Sequence, residues 1–300
     1  MTETSPNLDF AQTFQIEGQD VRGRLVRLGQ ALDDVLHAHA YPAPVSQMLA
    51  ETLTLAVTLA SALKYEGIFT LQIQSDGPIS LLVADITSEG AVRGYARFDE
   101  QRVDDAEISD GAPVPRLLGS GHLAFTVDQG QDMERYQGIA ELDGATLSEC
   151  AHHYFRNSEQ LDTAIFVASK IEDGNSRAGA LMVQRMPSAT GTPTEDDEDS
   201  WRRAVAILSS LTEDELLDEG LDHDTLLFRL YHEDGVRAFE PHKVFQRCRC
   251  SREKIEDTIK TMPREEITNE AGEVEVVCEF CKTDYIFDVE DLDKLFAKPH

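Results

Sequence analysis

Phe69-Thr70-Leu71-Gln72-Ile73-Gln74-Ser75-Asp76-Gly77-Pro78 decides the fold class of this chain. Apolar Phe69, Leu71 and Ile73 alternate with polar Thr70, Gln72 and Gln74, the two-residue period of a strand that buries one face. Asp76-Gly77-Pro78 supplies the turn: Gly77 has conformational freedom and Pro78 a fixed φ. The chain then re-enters an apolar run at Leu81-Leu82-Val83-Ala84 and, after Glu89-Gly90, a third over 92–98. Three strands joined by short turns form a meander, so the sheet they build is antiparallel.

Upstream, Phe10, Phe14 and Ile16 stand against Gln12, Gln15 and Glu17, and Val21–Leu28 gives a second extended segment after Gly18, which together read as a hairpin. Leu28, Leu32, Val35 and Leu36 fall at helical spacing. After Pro42 and Pro44, residues 45–64 carry Met48, Leu53, Leu55, Val57, Leu59 and Leu63 around most of a helical circumference, the pattern of a buried helix, which Gly67 ends. Downstream, 104–115 is a loop rich in Asp, Gly and Pro. Residues 123–127 and 136–140 read as paired strands. Thr146-Leu147-Ser148-Glu149 is a capping box opening a helix to about Phe155, residues 157–161 are a polar connection, and 163–170 and 179–185 are again strands. An antiparallel sheet with helices packed against it makes residues 1–186 an α+β domain.

Composition then changes. From 187 to 199 there is no large apolar residue, and the stretch ends in Glu195-Asp196-Asp197-Glu198-Asp199, a self-repelling run expected of a flexible tether. Ser200 is placed to cap a helix carrying Trp201, Val205, Leu208 and Leu211. Thr212-Glu213-Asp214-Glu215 is a second capping box before Leu216 and Leu217, and Leu226, Leu227, Leu230 and Tyr231 suggest a third helix. Helices this short are marginal alone in water. Residues 187–240 are therefore read as an acidic tether and metastable helical linker.

The last segment, 241–300, holds two close cysteine pairs: Arg247-Cys248-Arg249-Cys250-Ser251 and Val277-Cys278-Glu279-Phe280-Cys281. Pairs spaced by one and two residues can grip one tetrahedral zinc ion from two sides. A shell closed by four sulfurs leaves no position for a metal-bound water, so such a site holds structure or senses its surroundings rather than catalysing hydrolysis. Ser251 starts a helix with Ile255 and Ile259 on one face, Met262-Pro263 breaks it, 273–278 alternates as a strand, and Tyr285-Ile286-Phe287 is the return strand. The second pair thus falls in a hairpin turn. So small a unit buries little surface, which makes the metal its main source of stability. Spacing alone leaves a static zinc staple and a responsive site equally open.

A formal charge of -29 over 300 residues disfavours nucleic acid and anionic membrane as partners, because phosphates are repelled. The first residues, Met1-Thr2-Glu3-Thr4-Ser5, lack a basic start and an apolar core, and no apolar run approaches the roughly 18 residues of a membrane helix. With five cysteines, four in metal-type spacing, a reducing, cytoplasmic setting is expected. Cys150 is read as a core residue, His242 as a surface residue, and His152-His153 as a solvated face, since adjacent helical residues point apart. No Ser/His/Asp grouping, glycine-rich phosphate loop or nucleotide motif calls for an enzyme. A zinc-ribbon nucleic-acid regulator would need basic residues where 265–293 is acidic. A thiol oxidoreductase would place its cysteine pair at a helix start rather than after a strand.

Several motifs together resemble a known family: Glu66-Gly67 and Ser75-Asp76-Gly77-Pro78, Leu82-Val83-Ala84-Asp85, Arg93-Gly94-Tyr95-Ala96-Arg97, Tyr136-Gln137-Gly138-Ile139, and Tyr154-Phe155 through Ser158-Glu159-Gln160-Leu161. With the one-spaced and two-spaced cysteine pairs they are similar to the redox-regulated heat-shock chaperones of the 33 kDa chaperonin family, nearly end to end. The resemblance implies an ATP-independent holdase for unfolded client proteins, homodimeric when active and dormant when reduced and zinc-loaded. It implies Cys248, Cys250, Cys278 and Cys281 as ligands of one zinc per chain, and disulfides Cys248–Cys250 and Cys278–Cys281 in the oxidised form. It further implies that the two-spaced pair senses oxidant first. The chain departs from the family pattern at Lys282, where a small or polar residue is expected, and in its longer acidic tract.

Overall fold

The structure, a computed structural model, describes residues 8–17, 19–107, 111–130, 135–172, 174–186 and 194–297. They form two compact units that divide between Gln246 and Arg247. Gly18 of the first expected turn, 108–110 of the expected loop and 187–193 of the expected tether lie outside the described residues.

In chain order the first unit contains β1 (Phe10–Ile16), β2 (Val21–Leu28), α1 (Gln30–His37), α2 (Ala43–Ala62), β3 (Ile68–Ser75), β4 (Ile79–Thr87), β5 (Ala91–Phe98) and α3 (Glu100–Glu107). A π-helical turn, Val114–Leu118, leads to β6 (Gly121–Asp128), β7 (Tyr136–Glu141) and α4 (Leu147–Tyr154). A second π turn, Phe155–Glu159, precedes β8 (Thr163–Lys170) and β9 (Arg177–Arg185). Helices α5 (Glu195–Leu208), α6 (Glu213–Leu217) and α7 (His223–Tyr231) follow, then β10 (Val236–Ala238), β11 (His242–Lys243) and β12 (Phe245–Gln246).

Two sheets form where one was expected. The first has the order β10-β1-β2-β9-β8, with β11 also on β1; the second runs β12-β5-β4-β3-β6-β7 and is antiparallel except at β12 with β5. The meander appears as β3, β4 and β5, in register from Ile73↔Leu82 to Val83↔Tyr95. Helix α2 touches strands of both sheets and is buried at Val45, Met48, Leu49, Leu53, Leu55, Val57 and Leu59. Its apolar residues go all round because it packs on two sides. By length and hydropathy it could cross a membrane, contrary to the expectation that no run would, but most of that window is buried inside the fold. Its buried threonines bond within the helix: Thr52, Thr54 and Thr58 each donate to the carbonyl four residues back at 2.7–2.8 Å.

The opposite face of the first sheet carries a second core. Phe10, Phe14, Ile16, Val21, Leu25, Leu181 and Val183 pack against Ala204, Leu208, Leu216, Leu217, Leu226, Leu227 and Tyr231 of α5 to α7. Gly23 pairs with Phe14 across the strands, and a Cβ at Gly23 would lie 1.9 Å from the Phe14 ring. The layers are therefore second sheet, α2, first sheet, and the α5–α7 helices.

The acidic run 195–199 is helical rather than extended. Thr194 caps α5, accepting from Asp197 N at 3.2 Å while Asp197 accepts from Thr194 N at 2.7 Å, and the acids occupy the first turns where the helix dipole favours negative charge. Ser200, expected as the cap, sits inside the helix. At α4 the cap is Thr146 as expected, but Glu149 reaches back to Ala145 N, one residue earlier than a capping box.

The second unit holds α8 (Arg252–Ile259), α9 (Arg264–Ile267), β13 (Val274–Val277), β14 (Asp284–Phe287) and α10 (Val289–Leu295). Its buried core is Ile259, Val274, Phe287 and Leu292.

Candidate metal centre

The β13–β14 hairpin runs in register from Val274↔Phe287 to Val277↔Asp284, which leaves Cys278 and Cys281 in its turn. Two backbone bonds close that turn: Cys278 N donates to Thr283 O at 3.0 Å, and Lys282 N donates to Cys278 O at 2.8 Å. Lys282 has φ 55, the left-handed region, so the departure seen in sequence falls where a small residue such as Gly or Asn is the usual occupant. Cys248 and Cys250 flank Arg249 in a segment without regular secondary structure that ends at Ser251, whose hydroxyl accepts from Lys254 N and caps α8.

These two segments bring all four cysteine sulfurs within 4.8 Å of one another. Cys248 Sγ lies 3.7 Å from Cys278 Sγ, and Cys250 Sγ 3.4 Å from Cys281 Sγ. A tetrahedral ion with zinc–sulfur bonds of about 2.3 Å separates its ligands by about 3.8 Å, so the cluster fits zinc with little adjustment. Among the described residues, no other group of three or more Cys, His, Asp or Glu side chains converges in this way.

The electrostatics of the sulfurs call for a cation. Burial pushes the Cys250 thiol up to about 12, partly opposed by Tyr285, whose hydroxyl donates to Cys250 Sγ at 3.2 Å. Burial likewise raises Cys278, against the backbone N–H groups of Cys281 and Phe280. Cys281 goes the other way: burial opposes its ionisation, but the Thr283 hydroxyl and backbone, with neighbouring thiols, outweigh it and bring it down to about 7. Four thiolates this close repel one another, and a divalent ion removes the conflict. Thr283 and Tyr285, which shape this environment, were not singled out from the sequence. Their signal is position: Thr283 closes the turn two residues after Cys281, and Tyr285 is on the return strand.

The remaining candidates are elsewhere. Cys150 is 1 % exposed in the core of the first unit. His152 Nδ1 lies 2.6 Å from Thr163 O and His153 Nδ1 3.2 Å from Asp143, so the adjacent histidines serve different partners. His242 is exposed on β11.

Comparison with known proteins covers nearly the whole chain. The profile of the Hsp33 protein family matches residues 9–288. The 33 kDa chaperonin of Pseudomonas syringae pv. syringae is 40% identical over 97% of this chain and 95% of its own length. That of Caulobacter vibrioides is 39% identical over 96% and 99%. Among solved structures, the 33 kDa chaperonin of Thermotoga maritima has the same fold, with a TM-score of 0.78 over 96% of this chain and 97% of that one at 24% identity. An α+β chain with four converging cysteines, matched nearly end to end by these relatives, belongs to the Hsp33 family.

Proposed function

We propose that this chain is an ATP-independent holdase chaperone, dormant when reduced and zinc-bound and activated by oxidation of its four clustered cysteines. The observation that carries this reading is the convergence of Cys248, Cys250, Cys278 and Cys281 in a unit whose buried core, among the described residues, is four apolar side chains. Zinc, when bound, holds the four sulfurs as thiolates and ties the β13–β14 turn to the segment before α8.

Oxidation acts on the chain's own sulfurs. One thiol takes an oxygen atom from hydrogen peroxide, giving a sulfenic acid and water; the neighbouring thiol displaces that oxygen as a second water, and a disulfide forms. Each disulfide consumes one peroxide. The pairing proposed is Cys248–Cys250 and Cys278–Cys281, with the second formed first. Disulfide sulfur is a poor ligand, so the metal is lost and the small unit unfolds. Strands β10 to β12 join α7 to Cys248 along the chain, and through them the unfolding is proposed to loosen the α5–α7 layer next. Loosening exposes Phe10, Phe14, Leu25, Leu181 and Val183 on the first sheet, an apolar face for unfolding clients. The active form is proposed to be a homodimer in the cytoplasm. With a charge of -29, neither nucleic acid nor anionic membrane is a suitable partner.

The test is a peroxide titration of the reduced, zinc-loaded chain, with released zinc and disulfides mapped by mass spectrometry. One zinc released as Cys278–Cys281 and then Cys248–Cys250 appear supports the switch. Zinc retained under excess peroxide, with no disulfide formed, reduces the centre to a structural staple, and bridges across the pairs, between the sulfurs now 3.4 and 3.7 Å apart, would contradict the pairing.

A further inference from the structure

Arg27 is the largest side chain that the first unit buries completely, at 0% exposure on the face of β2 that carries α5–α7. Its guanidinium donates to backbone carbonyls, with the carboxylates of Asp218 and Asp222 near enough to favour its charge. Nη1 donates to Leu221 O at 2.5 Å and Nη2 to Glu215 O at 3.1 Å, while Nε has no partner. Glu215 O lies in the last turn of α6, one of the carbonyls a helix leaves without an internal partner, and Leu221 O lies just before the Asp222 cap of α7. One sheet side chain thus satisfies backbone at the end of α6 and at the entry to α7.

Arg27 pairs directly across the sheet with Gly179 of β9. A Cβ on Gly179 would stand 2.9 Å from Leu216 Cγ and 3.2 Å from Val26 O. Leu216, fully buried, therefore sits in a notch that exists only because residue 179 has no side chain. The anchor and the notch form a single cross-strand pair under a five-residue helix that has little cohesion of its own. Arg177 and Arg185 on the same face of β9 add rim contacts, to Glu219 and to Glu198.

We infer that Arg27 and Gly179 form the seat of α6, a latch that holds the α5–α7 layer down through contacts made within the first unit. Arg27 is a positioning residue. Removing it leaves two buried carbonyls that no replacement side chain can withdraw, unlike an ion pair whose two partners can both be replaced by apolar groups. The docked arginine keeps an unpartnered N–H that water would satisfy on release, so the latch is poised to open. The functional consequence rests on the proposed role of the layer as a removable cover; the latch itself does not.

The experiment is amide exchange on reduced, zinc-loaded wild type, Arg27→Met and Gly179→Ala, with zinc content and capture of an aggregating client measured on the same samples. Losing two hydrogen bonds from a charged donor is expected to speed exchange across α6 and α7 by on the order of 100-fold or more. Strands β3 to β6 should stay protected and zinc should stay at one per chain. Gly179→Ala removes no polar group and is expected to give the same selective acceleration, so it carries the test if Arg27→Met does not fold. Unchanged α6–α7 exchange in Gly179→Ala, or acceleration spread evenly over both sheets, overturns the latch. If exchange accelerates selectively but neither the variants nor the oxidised wild type captures client, the latch stands and the chaperone reading of the layer fails.

Discussion

Removing the metal should unfold the second unit and leave the β3–β6 strands of the first intact. The perturbation is Cys278→Ser, which replaces one of four sulfur ligands, or a strong zinc chelator on the wild type. Four apolar side chains are fully buried in this unit, Ile259, Val274, Phe287 and Leu292, and at about 1.5–3 kcal/mol each they contribute together about 6–12 kcal/mol. The Arg252–Asp291 and Arg264–Asp293 pairs are partly exposed and worth less than about 1 kcal/mol apiece. Arg252 over the Phe287 ring, 4.1 Å from its centroid, adds about 0.5–1 kcal/mol. A structural zinc in a small thiolate site contributes about 10–16 kcal/mol, as much as these buried side chains, ion pairs and the ring contact together. Without it the unit cannot remain folded. Hydrogen exchange with peptide resolution is the assay: 274–287 should lose protection on chelation while β3 to β6 keep theirs. Persistent protection of 274–287 in metal-free protein would refute the reasoning, because it would mean the small core suffices.

Three further outcomes follow from the first unit. Gly23→Val puts a branched side chain where the Phe14 ring lies and should cost about 1–3 kcal/mol or more in thermal unfolding of this unit. Burial, with smaller contributions from Glu149 and Asp143, pushes the Cys150 thiol up to about 11, so its contribution is whole below the unfolded thiol value near 9 and is lost as pH rises through 11. The stability gap between wild type and Cys150→Ala in urea should therefore shift by about 2 kcal/mol against wild type between pH 8 and pH 10.5. Thr194→Ala removes the oxygen that accepts from Asp197 N and should cost about 1 kcal/mol, read as faster exchange in the first turn of α5 alone.

Much of this structure is legible in the sequence where side-chain period and spacing carry the signal. Alternation identifies β3, segments set off by turns identify β4 and β5, an all-round apolar helix identifies α2, and the paired cysteines identify the metal unit. The second sheet is not legible as separate from the first, since alternation says which face of a strand is buried but not which strands share a sheet. Strands β10, β11 and β12 are two or three residues long, too short to show a period, and they pair because the chain passes along the open edges of β1 and β5. Helix α3 lies in Glu100–Glu107, acidic enough to read as part of a loop, and buries only Val103 and Ala106. Arg27 belongs to a strand whose other arginines, Arg22 and Arg24, look the same in sequence; its burial arises from α6 and α7 contributed far along the chain. At the metal centre the ligands are visible from spacing, whereas Tyr285 and Thr283 become visible only when the hairpin register places them beside sulfur.

The central claim is that metal-held thiols control a chaperone surface. Light scattering of a thermally aggregating client measures this directly, with the protein added reduced and zinc-loaded, or after peroxide treatment at mild heat, and zinc release followed in parallel. Suppression of aggregation by the oxidised, zinc-free form alone is the predicted result. Equal suppression by both forms, or none by either, would contradict it.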